Sequence, residues 1–125
     1  MKLILLISAM LWFSPSVDWG KDFEKAKDQA KKEHKLILLN FSGSDWCGPC
    51  IRLKKEIFAS DTFGQYAAEK LVLVNADFPR AKKNQLSAAQ QLHNDKLAEQ
   101  YNQKGSFPMT VLLSADGRVL KAWEG

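Results

Sequence analysis

The hydrophobic positions of this chain fall into short continuous runs and into helical spacings, with polar stretches between them. The apolar run at residues 36–41 predicts a buried strand, and residues 71–77 predict a second strand. Residues 111–114 and 118–123 flank an Asp-Gly turn, which is typical of a hairpin. The pattern therefore predicts strands in both halves of the chain, with helical segments between them.

The helical spacings lie in the more polar stretches. Phe23, Ala26 and Ala30 share one face of a predicted first helix, while Lys, Asp and Glu residues three and four apart cover the other face. We expect the charged face to be exposed to solvent and the apolar face to pack on the sheet. A second helical segment is predicted to run through Lys70, with Ser60 and Asp61 as its cap.

The polar segment at residues 81–95 is expected to be helical in part, because its few apolar residues have a partly helical spacing. We then expect Asn94 and Asp95 to cap a further helix that ends at Tyr101. The sequence does not indicate a function for this segment.

Residues 46–50, with the sequence WCGPC, hold the only two cysteines of the chain. Residues 42–45 are expected to form the turn that leaves the first strand, so Cys47 falls at or next to the start of a helix that continues through residues 51–58. Cys50 then lies about one turn inside the helix. Since the helix dipole and the unpaired N–H groups at that end favour an anion, we expect the Cys47 thiolate to be stabilised. This arrangement predicts a reversible disulfide.

A CxxC pair also occurs in structural disulfides and in zinc sites. A structural bridge that closes so short a loop constrains the unfolded chain little and therefore stabilises it little. Zinc requires four ligands, and His34 and His93 would have to complete the site, although their separation does not fit two histidines a turn apart. We expect no metal site, and we expect both histidines to be exposed helix residues.

The chain resembles the thioredoxin superfamily, whose redox motif is WCGPC in the same strand-to-helix setting. The resemblance runs from about Trp19 to Gly125 and includes residues 106–110, which are similar to the family's loop with a cis-proline that faces the CxxC pair. It implies a thioredoxin-like α/β fold over residues 17–125, with a central mixed β-sheet flanked by helices. The family continues into a last helix, which we expect this fold to lack. The cis assignment rests on the resemblance, because X-Pro bonds are rarely cis in folded proteins, and the alternative for Pro108 is a trans residue that opens a strand.

The resemblance also implies roles for individual residues. Cys47 is expected to attack a substrate disulfide as a thiolate, and Cys50 is expected to resolve the mixed disulfide, with no cofactor. Disulfide-containing proteins are the expected substrates. The residues expected to position them are Trp46, Gly48, Pro49, Phe107 and Pro108. For Trp46, the alternative is a packed aromatic side chain without a role in binding.

Two positions depart from the family pattern. When one extra residue is allowed in the turn, the family's buried acidic residue falls on Asn40, and its partner lysine falls on Leu73. Neither replacement can carry a proton. We therefore expect Cys50 to lose its proton to water or to the departing thiolate.

At 125 residues, with 46% hydrophobic and 26% charged residues, the chain has the composition of a single globular domain. Residues 1–16 form a distinct segment, because a basic start, an apolar run at residues 3–13 and small residues after it have the layout of a secretory signal peptide. The run is shorter than the roughly 20 apolar residues that span a bilayer. An uncleaved anchor and a buried strand are the alternatives. We expect export to the periplasm or the medium, where protein disulfides persist.

The net charge of +4 is mild and predicts no nucleic acid or other polyanionic partner. We expect a monomer. In the family, a Gly-Pro pair between the cysteines is typical of reducing members, so Gly48-Pro49 favours a reductant of protein disulfides. An exported reductant must itself be re-reduced, which implies a membrane electron donor. The alternatives are a disulfide isomerase or oxidant with the same site, and a module that binds peptides without turnover.

Overall fold

Five strands form one mixed sheet in the computed structural model of the protein, which describes residues 17–125. The strands are β1 (Trp19–Gly20), β2 (Leu36–Ser42), β3 (Leu71–Asp77), β4 (Met109–Leu113) and β5 (Val119–Glu124). Their spatial order is β1-β3-β2-β4-β5, in which β3 is parallel to β1 and β2, and β4 is antiparallel to β2 and β5. The central strand is therefore β2. The predicted signal peptide at residues 1–16 lies outside the described residues.

Over residues 17–125, four α-helices accompany the sheet, and a side chain caps the start of each helix. The helices are α1 (Phe23–Glu33), α2 (Gly48–Leu53), α3 (Asp61–Lys70) and α4 (Ala88–Tyr101). A π-helical turn (Lys54–Phe58) extends α2, and a 3-10 turn (Lys82–Asn84) precedes α4. The capping side chains are Asp22, Cys47, Ser60 and Ser87. Among the helices described, none is long and apolar enough to cross a membrane.

Strands β2 and β3 are buried on both faces, which explains why they are continuous apolar runs, whereas β5 is exposed along its whole length. The core that includes α1 and α4 contains Phe23, Ile37, Leu39, Phe41 and Leu97. The core that includes α3 contains Leu38, Phe58, Ala67, Leu71 and Leu73. Alternate residues of β2 point to opposite cores, so Asn40 shares the face of Leu38.

The predicted strands and the hairpin are confirmed, and so are the predicted helices that correspond to α1 and α3. Phe23, Ala26 and Ala30 are buried as expected, and Ser60 caps α3. The helix that begins at the cysteines continues through Phe58 as predicted, but its last part is the π-helical turn. The sequence does not predict β1, because a strand of two residues carries no periodicity.

The start of α4 differs from the prediction. Ser87 caps the helix, well before the predicted cap at Asn94 and Asp95. Asn94 is instead buried within the helix, and its side-chain amide donates to the Asp77 carbonyl oxygen at 2.9 Å. Asparagine favours caps because its side chain bonds nearby backbone groups, but here it bonds a distant strand.

His93 is half-buried, so the expectation that it is exposed is wrong. Its Nε2 accepts the Phe23 backbone N–H at 3.1 Å, and its Nδ1 lies 2.8 Å from Asn94 Oδ1. Because Nε2 is the acceptor, the neutral ring carries its proton on Nδ1 and donates it to Asn94. His93 thereby connects α4 to the first residue of α1. His34 is exposed, and it is the residue with left-handed backbone that ends α1.

Candidate active site

The two cysteines form a disulfide at the start of α2. Cys47 is the N-cap residue and Cys50 lies in the first turn, with their Cα atoms 5.2 Å apart. The Cys50 N–H donates to Cys47 Sγ at 3.3 Å. The sulfur thus occupies the place of a capping oxygen, where N–H groups and the helix dipole stabilise negative charge. The predicted position of Cys47 at a helix start is confirmed. Gly48 and Pro49, between the cysteines, are exposed.

Trp46 lies against the turn that precedes the cysteines. Its indole N–H donates to the Phe78 carbonyl oxygen at 2.7 Å, and its ring meets the Phe107 ring edge to face, with centroids 5.5 Å apart. Gly43 leaves room for the indole, because a Cβ at that position would lie 2.7 Å from the indole nitrogen. Trp46 therefore contacts the turn, the segment after β3 and the loop before β4.

The carboxylate of Asp45 connects the active-site turn to the segment after β3. Its oxygens accept the backbone N–H groups of Arg80 and Ala81 at 2.9 Å each, and the side-chain amide of Asn84 at 3.0 Å. These hydrogen bonds, with that of Arg80 the strongest, lower the pKa of the Asp45 carboxyl from its ordinary value. Sequence reasoning missed Asp45, for which the only signal was an acceptor-rich side chain in a turn.

Two further contacts connect the active-site turn to the end of β3 and the segment after it. The backbone N–H and the hydroxyl of Ser44 donate to the two oxygens of Asp77, at 2.9 and 2.6 Å. The guanidinium carbon of Arg80 lies 3.7 Å from the centroid of the Trp46 ring, so the two planes are in contact. Residues 77–84 are therefore fixed to the turn by side chains as well as by backbone.

The loop that contains Pro108 lies beside Trp46. The Phe107–Pro108 peptide bond is cis, and Pro108 is fully buried, whereas Phe107 is half-buried against Trp46. Asn102, at the end of α4, holds this loop, because its side chain accepts the Ser106 N–H at 3.0 Å and donates to the Ser106 carbonyl oxygen at 2.9 Å. Sequence reasoning missed Asn102, since an asparagine at a helix end gives no signal of a partner.

A cavity of about 260 Å³ opens next to Cys50. Its lining residues are Trp19, Asn40, Ser42, Ser44, Cys50, Ile51, Lys54, Phe58 and Asn75. The Asn40 amide donates to Asn75 Oδ1 at 3.1 Å, and Asn40 Oδ1 accepts the Thr110 hydroxyl at 3.1 Å. Within the described part of the chain, the lining includes no carboxylate. The cavity next to Cys50 is therefore lined by apolar side chains and by neutral polar groups, without an acid.

The two histidines that a zinc site would require are not grouped with the cysteines. His34 ends α1, and the Nε2 atom of His93 is bonded to the Phe23 backbone. Between residues 17 and 125, no three His, Cys, Asp or Glu side chains are grouped so that they could hold a metal ion.

A mixed sheet whose central strand leads into a helix capped by the first cysteine of a CxxC pair is the arrangement of thioredoxin-fold proteins. Residues 18–115 match the thioredoxin-like family, and the chain belongs to that family. The expected α/β fold, with a central mixed sheet flanked by helices, is confirmed.

Two relatives and one solved structure are similar to most of this chain. The disulfide bond reductase DsbH of Chlamydia pneumoniae is 36% identical over 105 residues, which are 84% of this chain and 61% of DsbH. The thioredoxin-related protein DsbJ of the same organism is 30% identical over 107 residues, 86% of this chain and 30% of DsbJ. This chain thus spans less than two thirds of either relative. A solved structure of a DsbH oxidoreductase has a TM-score of 0.78 and 34% identity, over 87% of this chain and 73% of that one.

Gly43→Ala should displace the Trp46 ring. The added methyl group would overlap the indole, so the hydrogen bond to the Phe78 carbonyl must lengthen or break. The backbone at Gly43 is not left-handed, so the effect is steric. We expect the free energy of unfolding, measured by urea titration, to fall by about 1–3 kcal/mol, as for other overpacked sites.

A double-mutant cycle provides the control for this prediction. In a Trp46→Ala background the ring is gone, so Gly43→Ala should cost little there. Gly48→Ala is the matched single change, because its Cβ would meet only the end of the Arg52 side chain, at 3.6 Å. An equal cost of Gly43→Ala in both backgrounds would show that the indole is not the cause.

Proposed function

We propose that the protein is an exported thiol-disulfide oxidoreductase that reduces the disulfides of other proteins. The observation that carries the proposal is the Cys47–Cys50 disulfide, in which the sulfur of Cys47 caps α2 and accepts the Cys50 N–H. The relative that is 36% identical is named a disulfide bond reductase, which supports the same chemistry here.

The reaction consists of two exchange steps. The Cys47 thiolate attacks one sulfur of the substrate disulfide, whose S–S bond breaks as its other sulfur leaves as a thiolate. Cys50, after losing its proton, attacks Cys47 Sγ, and the second substrate sulfur leaves. The protein ends as the Cys47–Cys50 disulfide and the substrate as a dithiol. Two electrons have moved to the substrate, and its sulfurs take up two protons in place of those that the cysteines released.

Thiolate stabilisation at the helix start supplies only part of the rate. Lowering the pKa of a thiol from about 8.5 to about 7 raises the thiolate fraction at neutral pH from roughly 3% to about 50%. The nucleophilicity of the thiolate falls roughly fivefold over the same change, so the net gain is only about threefold. Orientation of the substrate and departure of the leaving group must therefore supply most of the acceleration.

We assign that orientation to the surface around Cys47. Gly48 and Pro49 are exposed and allow a substrate chain to approach closely. The Trp46 and Phe107 rings form an aromatic wall beside them, and Pro108 immediately precedes the strand that pairs with β2. These residues provide the contacts that hold a substrate cysteine in line with the Cys47 sulfur.

Two features support the direction and the location. The Gly48-Pro49 pair is typical of reducing members of the family. The signal-peptide layout of residues 1–16 supports export to a compartment where disulfides form. A reductant in that compartment must receive electrons from elsewhere, and we propose a membrane electron donor as the source.

Reduction of insulin with dithiothreitol as the donor tests this function. The protein should accelerate the reaction, whereas Cys47→Ser and Cys50→Ser should not, because each variant lacks one exchange step. Equilibration of the cysteine pair with glutathione tests the direction. We expect a reduction potential near that of thioredoxin, about −270 mV, and a value near that of the oxidant DsbA, about −120 mV, would refute the reductant role.

Asn40→Asp should accelerate the resolving step. A carboxylate in the cavity next to Cys50 can accept the proton of that thiol, and we expect about a tenfold gain, less than the full effect of a positioned general base because water already serves. The new oxygen would face Asn75 Oδ1 in place of the amide donor, and burial raises the pKa of the carboxyl, so stability should fall by about 1–3 kcal/mol.

The measurement is single-turnover release of a substrate from a preformed mixed disulfide with Cys47, followed against pH. Asn40→Ala is the control, because it removes the same hydrogen bonds without adding a titrating group. Its resolving rate should not gain the pH dependence of the Asp variant. If Asn40→Asp gives no rate gain at any pH, proton removal from Cys50 does not limit the step.

A further inference from the structure

Two guanidinium groups lie next to the residues that precede and follow Cys47 in the chain. The guanidinium carbon of Arg80 lies 3.7 Å from the centroid of the Trp46 ring, and Nη1 of Arg52 lies 3.6 Å from where a Cβ on Gly48 would be. Trp46 precedes Cys47 in the chain and Gly48 follows it. A substrate that binds at Cys47 therefore lies close to two positively charged side chains.

The Arg80 side chain is held in place with its donors accessible. Its backbone N–H is bonded to Asp45 Oδ1 at 2.9 Å, and its guanidinium packs on the indole. A guanidinium that stacks through its face keeps its N–H donors directed outward in its own plane. Both Arg80 and Arg52 are exposed, and neither belongs to an ion pair among residues 17–125.

Among the described residues, no acidic side chain forms an ion pair with these groups. Both oxygens of Asp45 accept hydrogen bonds from the segment after β3, and both oxygens of Asp77 accept hydrogen bonds from Ser44. Glu56 is exposed on the π-helical turn and forms no ion pair with the described residues. Carboxylates of a substrate therefore have little competition for the two arginines.

The excess positive charge of the domain lies in these same segments. Residues 17–125 hold 17 of the 18 basic residues, since only Lys2 precedes them, and all 14 acidic residues. Residues 45–56 and 77–83 contain six basic and three acidic residues, which leaves 11 of each for the remainder of residues 17–125. The six basic residues are Arg52, Lys54, Lys55, Arg80, Lys82 and Lys83. Away from the site, the charge is balanced.

We propose that the preferred substrates are protein disulfides whose cysteines are flanked by Asp or Glu, an inference that rests on the reductase function proposed above. Flanking carboxylates repel an attacking thiolate, so such disulfides react slowly with small thiols. Arginine pairs well with carboxylates through parallel N–H donors, and complementary charge increases the rate of encounter. The arginines at this site offset the repulsion where the attack occurs.

The test uses three disulfide-containing peptides that differ only in flanking residues, with Glu, Lys or Gly on both sides of each cysteine. The reduced protein, freed of dithiothreitol, is mixed with each oxidised peptide, and the second-order rate constant is divided by that for dithiothreitol alone. At low salt, the normalised rate for the Glu peptide should exceed that for the Lys peptide by about fivefold, the upper size for an exposed ion pair. About 0.5 M NaCl should remove most of this preference, because screening shortens the reach of exposed charges.

Variants identify the source of the preference. Arg80→Gln and Arg52→Gln should each reduce it, whereas Arg80→Lys, which keeps the charge, should retain most of it. Arg118→Gln is the matched control, because Arg118 is an exposed arginine in the hairpin at the far end of β4. It should leave the preference unchanged.

The outcomes separate this inference from the reductase function. If the protein reduces all three peptides with equal normalised rates, or if both glutamine variants keep the full preference, the inference is wrong and the reductase function stands. If the protein does not reduce even the Gly peptide, the reductase function fails and the inference fails with it. A preference for the Glu peptide that salt and Arg80→Gln both diminish supports it.

Discussion

The start of helix α2 at Cys47 is the constraint on which the rest of the site depends. An N-cap must supply an acceptor for an N–H group of the first turn, and here the acceptor is sulfur, bonded to the Cys50 N–H. The same position favours the thiolate and places the second cysteine one turn away, with 5.2 Å between the Cα atoms. Helix capping and the proposed disulfide exchange therefore use the same atom.

The turn that delivers Cys47 to this position is held by residues distant in the sequence. Asp45 accepts the N–H groups of Arg80 and Ala81, and the Trp46 indole donates to the Phe78 carbonyl. The segment after β3 is therefore part of the site rather than a linker. It also carries Arg80 onto the Trp46 ring, so the contacts that fix the turn also place a positive charge on the residue that precedes Cys47.

Local patterns predicted much of this structure, and contacts between distant segments account for what they missed. Strands β2 and β3 were predictable because burial on both faces makes their sequences continuously apolar. Helix α4 was misplaced because the Asn94 side chain bonds Asp77 of β3 instead of a helix end. Asp45 and its hydrogen-bond donors Arg80 and Ala81 are 35 and 36 residues apart in the sequence. Neither hydrophobic periodicity nor helix or strand propensity predicts a contact at that separation. The resemblance indicated Asn40 as a position of interest, but its partners became visible only in the folded chain.

Trapping of mixed disulfides tests most directly the claim that capping α2 makes Cys47 the attacking sulfur. Cys50→Ser and Cys47→Ser are each reduced, mixed with an oxidised substrate protein and analysed by electrophoresis without reductant. The account predicts that Cys50→Ser accumulates a mixed disulfide, because Cys47 attacks and nothing resolves the product, and that Cys47→Ser does not. Equal trapping by both variants, or stronger trapping by Cys47→Ser, would contradict it.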